Sequence, residues 1–208
     1  MRIIAISGSL RADSLNTRLA HAAAGLVPAG VEIEVVTLQD IPLYDEDLRN
    51  EGWPAAVTTL GERIADADGV LIATPEYNYS ISGVLKNALD WLSRLSSAPL
   101  AGKPTAIMSA SPGMFGGVRA QDHLRQILFG LDARVLTRPQ VIVNLAADKF
   151  QEDGSLSDSM AVELMRKLME ALTRAGGDKD AINVQQTRPR WEPARARAVG
   201  GIRGAGQV

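Results

Sequence analysis

Short, almost wholly apolar runs alternate with segments of helical period along most of this chain, and few folds accommodate that alternation. RIIAIS at 2–7, GVLIAT at 69–74 and KPTAIMSA at 103–110 do not show the every-other-residue polarity of a strand with one wet face. Such runs suit parallel strands covered on both sides. VEIEVVTL at 31–38 alternates and then turns apolar, giving another strand. Between the runs, apolar residues recur every three or four positions. Leu15, Leu19, Ala22, Ala23 and Leu26 do so over 14 to about 27, and Ile81, Leu85, Ala88, Leu92 and Leu95 over 81–95. Pro54 fits the first turn of a further helix. Leu124, Leu128 and Leu131 mark another, and 158 to about 174 closes the series. A fifth strand is expected within 133–144, split by Pro139, and 39–52 reads as a long acidic loop. Joined by right-handed crossovers, these elements predict an α/β fold: a doubly wound five-stranded parallel sheet with helices on both faces. It occupies residues 1–175. From 176 to 208 glycine, arginine, proline and alanine replace the periodic pattern, which predicts a disordered tail.

Composition closes off several classes of function. The absence of cysteine excludes disulfides, thiolate catalysis and Cys-ligated metals. Two distant histidines, His21 and His123, do not make a His-rich centre, so no metal is expected. A net charge of −2, acidic in the body and basic in the tail, gives no field suited to nucleic acid. No apolar run reaches about 18 residues, so membrane insertion is not expected. The opening MRIIAISGSL is too short for a signal peptide, and a cytoplasmic location follows as the expectation.

Three loops that leave strand ends hold the candidate chemistry. In an open α/β sheet, ligands lie outside the carboxyl ends of the strands. The first loop, GSLRADSLN at 8–16, is neither a dinucleotide fingerprint nor a Walker loop. It opens directly into a helix, whose N-terminal amides and dipole favour an anion. The hydroxyls of Ser9 and Ser14, the amide of Asn16 and the guanidinium of Arg11 add donors suited to a phosphate monoester. Asp13 is discordant and has to point away. A plain N-cap needs one such residue rather than several. The second loop, Pro75-Glu76-Tyr77-Asn78-Tyr79, ends its strand at a proline and frees backbone groups for the polar edge of a flavin or nucleobase. Its tyrosines either cover a ring or pack on the neighbouring helix. The third, 109–117, combines Ser111 with glycines that permit close approach to a flat ligand.

Taken together, these stretches resemble the NADPH-dependent FMN reductase family, especially its quinone and chromate reductase branch. GSLRADSLN, TPEYNYSISGVLKNALDWLSR at 74–94, LAGKP at 100–104 and GGVRAQDHLRQIL at 116–128 carry the likeness, with IPLYDEDL at 41–48. The resemblance spans roughly residues 1–175 and implies a flavodoxin-like fold. It implies that Ser9, Leu10, Arg11, Ala12, Asp13, Ser14, Leu15 and Asn16 bind the FMN phosphate. It further implies that Pro75, Glu76, Tyr77, Asn78 and Tyr79 line the isoalloxazine ring and that Ser111 also contacts FMN.

The implied activity is that of an NAD(P)H-dependent reductase. NADPH or NADH passes a hydride to FMN, and a small oxidant then takes the electrons in a ping-pong scheme. Quinones, chromate, azo and nitro compounds are such acceptors, and no side-chain acid or base is demanded. The alternatives are a flavin reductase that releases reduced FMN to a monooxygenase, and a flavodoxin-type electron carrier. The small complement of aromatic residues and the modest charge favour an open flavin face over a carrier. A homodimer or homotetramer is expected, with the helix over 81–95 near its interface, because Trp91 falls outside that helix's apolar stripe.

Overall fold

The computed structural model describes residues 1–178. Its sheet begins with β1 (Arg2–Ser7), where alternate side chains serve two separate cores. Ile3 and Ala5 pack with Leu19 and Ala23 of α1 (Leu15–Ala24) and with Met165, Leu168 and Leu172 of α6 (Ser159–Gly177). Ile4 and Ile6 pack on the other face against α3 (Ala55–Asp66), α4 (Gly83–Arg94) and α5 (Val118–Gly130). A period of two along the strand thus serves two helical layers, which is why no polar alternation is visible.

The strand order is β2-β1-β3-β4-β5 and every pair is parallel. Here β2 is Glu32–Val36, β3 Gly69–Ala73, β4 Pro104–Ala110 and β5 Arg134–Val135. A last segment, β6 (Val141–Val143), pairs with the far end of β4 and continues the edge that β5 starts. The fifth position in the sheet is therefore two short pieces on either side of Pro139. Proline has no N–H for the ladder, so the break falls where the sequence places it.

Three expectations differ from the structure. The acidic loop over 39–52 contains a short helix, α2 (Glu46–Glu51). Asp45 caps it by accepting from the Asp47 N–H at 2.8 Å. The helix buries no residue, so it leaves no apolar period to read. At the other end, α6 runs past residue 175 to Gly177. Gly176 is buried against the Asp68 carbonyl, where an added Cβ would stand 2.7 Å from the oxygen, so glycine here continues a packed helix. The rest of the expected tail lies outside the described residues.

The third difference concerns Trp91. Its side chain is wholly buried within its own chain, and its Nε1–H donates to the Pro42 carbonyl at 2.9 Å. Tyr44 meets the indole edge-on with centroids 4.9 Å apart, and Trp53 lies at 6.0 Å. The loop after β2 covers the face that the helical stripe leaves bare, so Trp91 is not waiting for a partner subunit.

The start of α6 yields a stability prediction. Asp158 caps the helix by accepting from the Ala161 N–H at 3.0 Å, and its other oxygen pairs with Lys149 at 2.7 Å. The bond from Lys149, then that from the helix backbone, holds this carboxyl below its ordinary range. A depressed carboxyl adds stability above its unfolded pKa of about 4 and loses it as pH falls through the folded value. Asp158→Ala should therefore cost about 0.5–2 kcal/mol in urea unfolding at pH 7. The gap from the parent should narrow below about pH 4.

Candidate active site

The strand order reverses between β1 and β3, because the chain leaves β1 for β2 on one side and returns to β3 on the other. A crevice at such a switch point opens at the carboxyl ends of the strands. Hydrogen bonds extend the ladder into all three candidate loops. The Gly8 N–H donates to Ala73 at 2.8 Å, the Thr74 N–H to Met108 at 3.0 Å and the Ser111 N–H to Val143 at 3.0 Å. The loops therefore start at one level and border one another.

The first loop is built around buried hydroxyls. Ser14 caps α1, its Oγ accepting from the Thr17 N–H at 3.2 Å, which leaves its proton to donate. Ser9 Oγ accepts from the Arg11 N–H at 3.3 Å and likewise keeps a proton. Both serines are buried, whereas Leu10, Arg11, Ala12 and Asp13 are exposed. Asn16 differs from its expected part. Its Nδ2 donates to the Ala110 carbonyl and its Oδ1 accepts from the Ala110 N–H, both at 2.9 Å. A side-chain amide matches the N–H donor and C=O acceptor of one residue, so Asn16 is a brace tying α1 to the end of β4.

The second loop is a tight hairpin. Tyr77 and Ser80 exchange N–H to C=O bonds at 2.9 and 3.0 Å, so those Tyr77 groups are not free for a ligand. Asn78 and Tyr79 both take positive φ, 50° and 68°, as a two-residue hairpin turn requires. Among the described residues, the N–H groups of Glu76 and Asn78 have no hydrogen-bond partner. The Glu76 carboxylate turns away, to the N-terminus of α5. It accepts from the Arg119 and Ala120 N–H groups at 3.0 and 3.3 Å and pairs with the Arg119 guanidinium at 3.1 Å. The N-cap of α5 is Gly117, with φ 92° and no side chain to cap with. A Cβ there would lie 2.7 Å from that of Ser109, so the helix takes its cap from another loop.

Sequence reading missed Arg119 and Ser82. The Arg119 guanidinium lies over the rings of Tyr79 and Phe115, at 4.3 and 4.1 Å. The Ser82 hydroxyl donates to the Gly8 carbonyl and caps α4 by accepting from the Leu85 N–H at 3.3 Å. A serine just ahead of GVLKNALDWL was a legible capping signal. Nothing local marked Arg119, whose partners come from two other loops.

A cleft of about 70 Å³ at the start of α1 gathers most of the expected residues. Ser9, Arg11, Ser14, Leu15 and Asn16 meet Pro75, Glu76, Tyr77 and Ser111 there. Ser111 Oγ accepts from the Gly113 N–H at 3.2 Å and keeps its proton. Leu10 lines an adjoining apolar groove of about 530 Å³, which shares Ser9, Arg11 and Tyr77 with the cleft. Ala12, Asp13, Asn78 and Tyr79 line neither. A wider groove of about 700 Å³ lies between β6 and α6, and it contains no residue of the three loops. Ser9, Arg11, Ser14 and Ser111 line the smaller cleft beside the start of a helix, and such residue types are those that can bind a single tetrahedral anion.

Comparisons with known proteins bear on the family and the fold. The sequence model of the family described as NADPH-dependent FMN reductase matches residues 1–148. An NAD(P)H-dependent FMN reductase of Pseudomonas aeruginosa is 48% identical over 172 residues, covering 83% of this chain and 93% of its own. A quinone reductase of Escherichia coli K12 is 48% identical over 151 residues, 72% of this chain and 80% of its own. Among solved structures, FerB of Paracoccus denitrificans, a flavoenzyme NAD(P)H:(acceptor) oxidoreductase, superposes with a TM-score of 0.76 at 31% identity. That likeness covers 88% of this chain and 98% of FerB.

The Glu76 cap can be tested by itself. Glu76→Ala removes the acceptor of two helix N–H groups and the partner of Arg119. Urea unfolding should show a loss of about 1.5–3 kcal/mol, the range for hydrogen bonds to a charged group. A variant as stable as the parent would mean that α5 does not depend on this cap.

Proposed function

Because the chain belongs to the NADPH-dependent FMN reductase family, we propose that its small cleft holds the FMN phosphate and that it reduces quinones with NAD(P)H. It is an NAD(P)H-dependent FMN oxidoreductase of flavodoxin-like fold. FMN, when bound, would supply two-electron redox chemistry between NAD(P)H and an oxidised acceptor. The convergence of Ser9, Arg11, Ser14 and Ser111 at the start of α1 supports the phosphate assignment. Ser9, Ser14 and Ser111 keep protons to donate, and Arg11 adds a full positive charge. The free N–H groups of Glu76 and Asn78 suit the carbonyls and ring nitrogens along a flavin's polar edge. Tyr77, 47% exposed beside the cleft, offers a flat apolar surface to the ring. Binding and orientation are the protein's part, and no side-chain acid or base is assigned to the chemistry.

The quinone assignment follows from the likeness to the quinone reductase of Escherichia coli. A panel of quinones, chromate, azo compounds and free FMN, assayed with NADPH and with NADH, tests that reading. Faster turnover with free FMN than with any quinone, together with loss of flavin on gel filtration, would favour a reductase that releases its product.

The protein works in the cytoplasm, on this reading. Among the described residues no helix is long and apolar enough to cross a membrane. A homodimer or homotetramer is part of the same proposal. It is supported by exposed apolar side chains beside the site, with Tyr79 66%, Met114 74% and Phe115 60% accessible. Light scattering at micromolar concentration should give a multiple of the monomer mass, and a monomer would refute it.

The phosphate assignment predicts that Arg11→Ala weakens FMN retention by about 1.5–3 kcal/mol. Equilibrium dialysis of the apoprotein against FMN measures this directly. Equal affinities in variant and parent would remove Arg11 from the phosphate site.

A further inference from the structure

The loop after β2 is fixed more firmly than its exposure explains. The Pro42 carbonyl accepts two hydrogen bonds from α4, from Asn87 Nδ2 at 2.7 Å and from Trp91 Nε1 at 2.9 Å. The Tyr44 N–H donates to Asn87 Oδ1 at 2.7 Å. Both neighbours of Leu43 are therefore pinned to one helix, and the Tyr44 ring packs on the buried indole as well. Leu43 itself is 82% exposed. Three hydrogen bonds and an aromatic contact thus hold an apolar side chain out in solvent, where it adds little to the core.

Leu43 stands at the apolar groove, together with Leu10, Tyr77, Gly83 and Val84. The groove shares Ser9, Arg11 and Tyr77 with the cleft, so with the phosphate in the cleft and the ring against Tyr77, as proposed above, it adjoins the flavin. Gly83 adds a second observation. It is the first residue of α4, it does not have positive φ, and a Cβ built on it would meet nothing within 4 Å. Neither backbone conformation nor packing requires glycine at this position. Its effect is to keep the groove open.

We infer that this groove receives the apolar body of the electron acceptor, with Leu43 as its outer wall and Gly83 setting its depth. Asn87 and Trp91 are positioning residues that act through Leu43. The inference rests on the reading that quinones are acceptors, and it assigns their ring system to a particular surface. A bicyclic quinone reaches Leu43 and a monocyclic one does not, so the wall discriminates by size. Losing a contact of this kind in an apolar pocket changes discrimination by about 10–200-fold.

The test compares 1,4-benzoquinone with 1,4-naphthoquinone on the FMN-loaded enzyme. Leu43→Ala should raise KM for naphthoquinone about tenfold relative to benzoquinone, leaving FMN content and melting temperature at parental values. Gly83→Leu should fill the groove and also shift the ratio against naphthoquinone. Asn87→Ala should reproduce the Leu43→Ala ratio. The double variant should be no worse than Leu43→Ala alone, since Asn87 acts through Leu43. Quenching of tryptophan fluorescence by naphthoquinone without NADPH gives a binding constant independent of turnover, and it should weaken in parallel. Parental KM ratios and quenching in both Leu43→Ala and Gly83→Leu, at full FMN content, overturn the inference while leaving the enzyme's function intact. A parent that oxidises NADPH with other acceptors but reduces no quinone overturns the quinone reading and this inference with it.

Discussion

The burial of β1 on both of its faces, from Ile3 onward, is the constraint on which the other elements depend. Ile3, Ile4, Ala5 and Ile6 are each at most 1% exposed, so neither face of this interior strand can be left to water. Two helical layers follow, and with them a chain that winds from β1 to β2 on one side and to β3, β4 and β5 on the other. That winding opens a crevice at the carboxyl ends of β1 and β3. Fully burying one isoleucine is worth about 1.5–3 kcal/mol. The same residues that stabilise the sheet therefore also determine where a ligand can enter.

Packing brings the loops to one end of the sheet, but polar contacts set their shapes. Asn16 ties α1 to β4, Ser82 ties α4 to Gly8, Glu76 ties the Tyr77–Ser80 hairpin to α5, and Ser109 donates to the Gly116 carbonyl at 2.7 Å. Each bond joins a side chain of one element to the backbone of another. The resulting lattice leaves a few donors without partners around a small cleft. Such an arrangement binds by preorganisation, because its donors are aimed before any ligand arrives.

Legibility in the sequence followed the range of the interactions. The strands, most helices and the break at Pro139 were visible because each depends on local period or on one residue's chemistry. The short helix over Glu46–Glu51 was missed because it buries nothing. At the site, the serines and Arg11 were readable as a donor set at a helix start. The task of Asn16 was not, since its partner lies 94 residues away. Glu76 was expected at a flavin edge, yet its carboxylate caps a helix whose own N-cap is glycine. Trp91 looked unpartnered because helical period registers a helix's own stripe and is blind to a loop that crosses it. Contacts between distant segments leave no periodic trace, and these are the ones that shape the cleft.

The divided fifth strand bears on how the molecule behaves in a crowded solution. An unbroken edge strand presents a row of free N–H and C=O groups on which a strand from another molecule can grow. Here that edge consists of a two-residue and a three-residue piece, with a proline between them that cannot donate. Neither piece is long enough to template a foreign strand. The interruption that weakens the sheet's own ladder at this border also protects the protein from open-ended polymerisation along it.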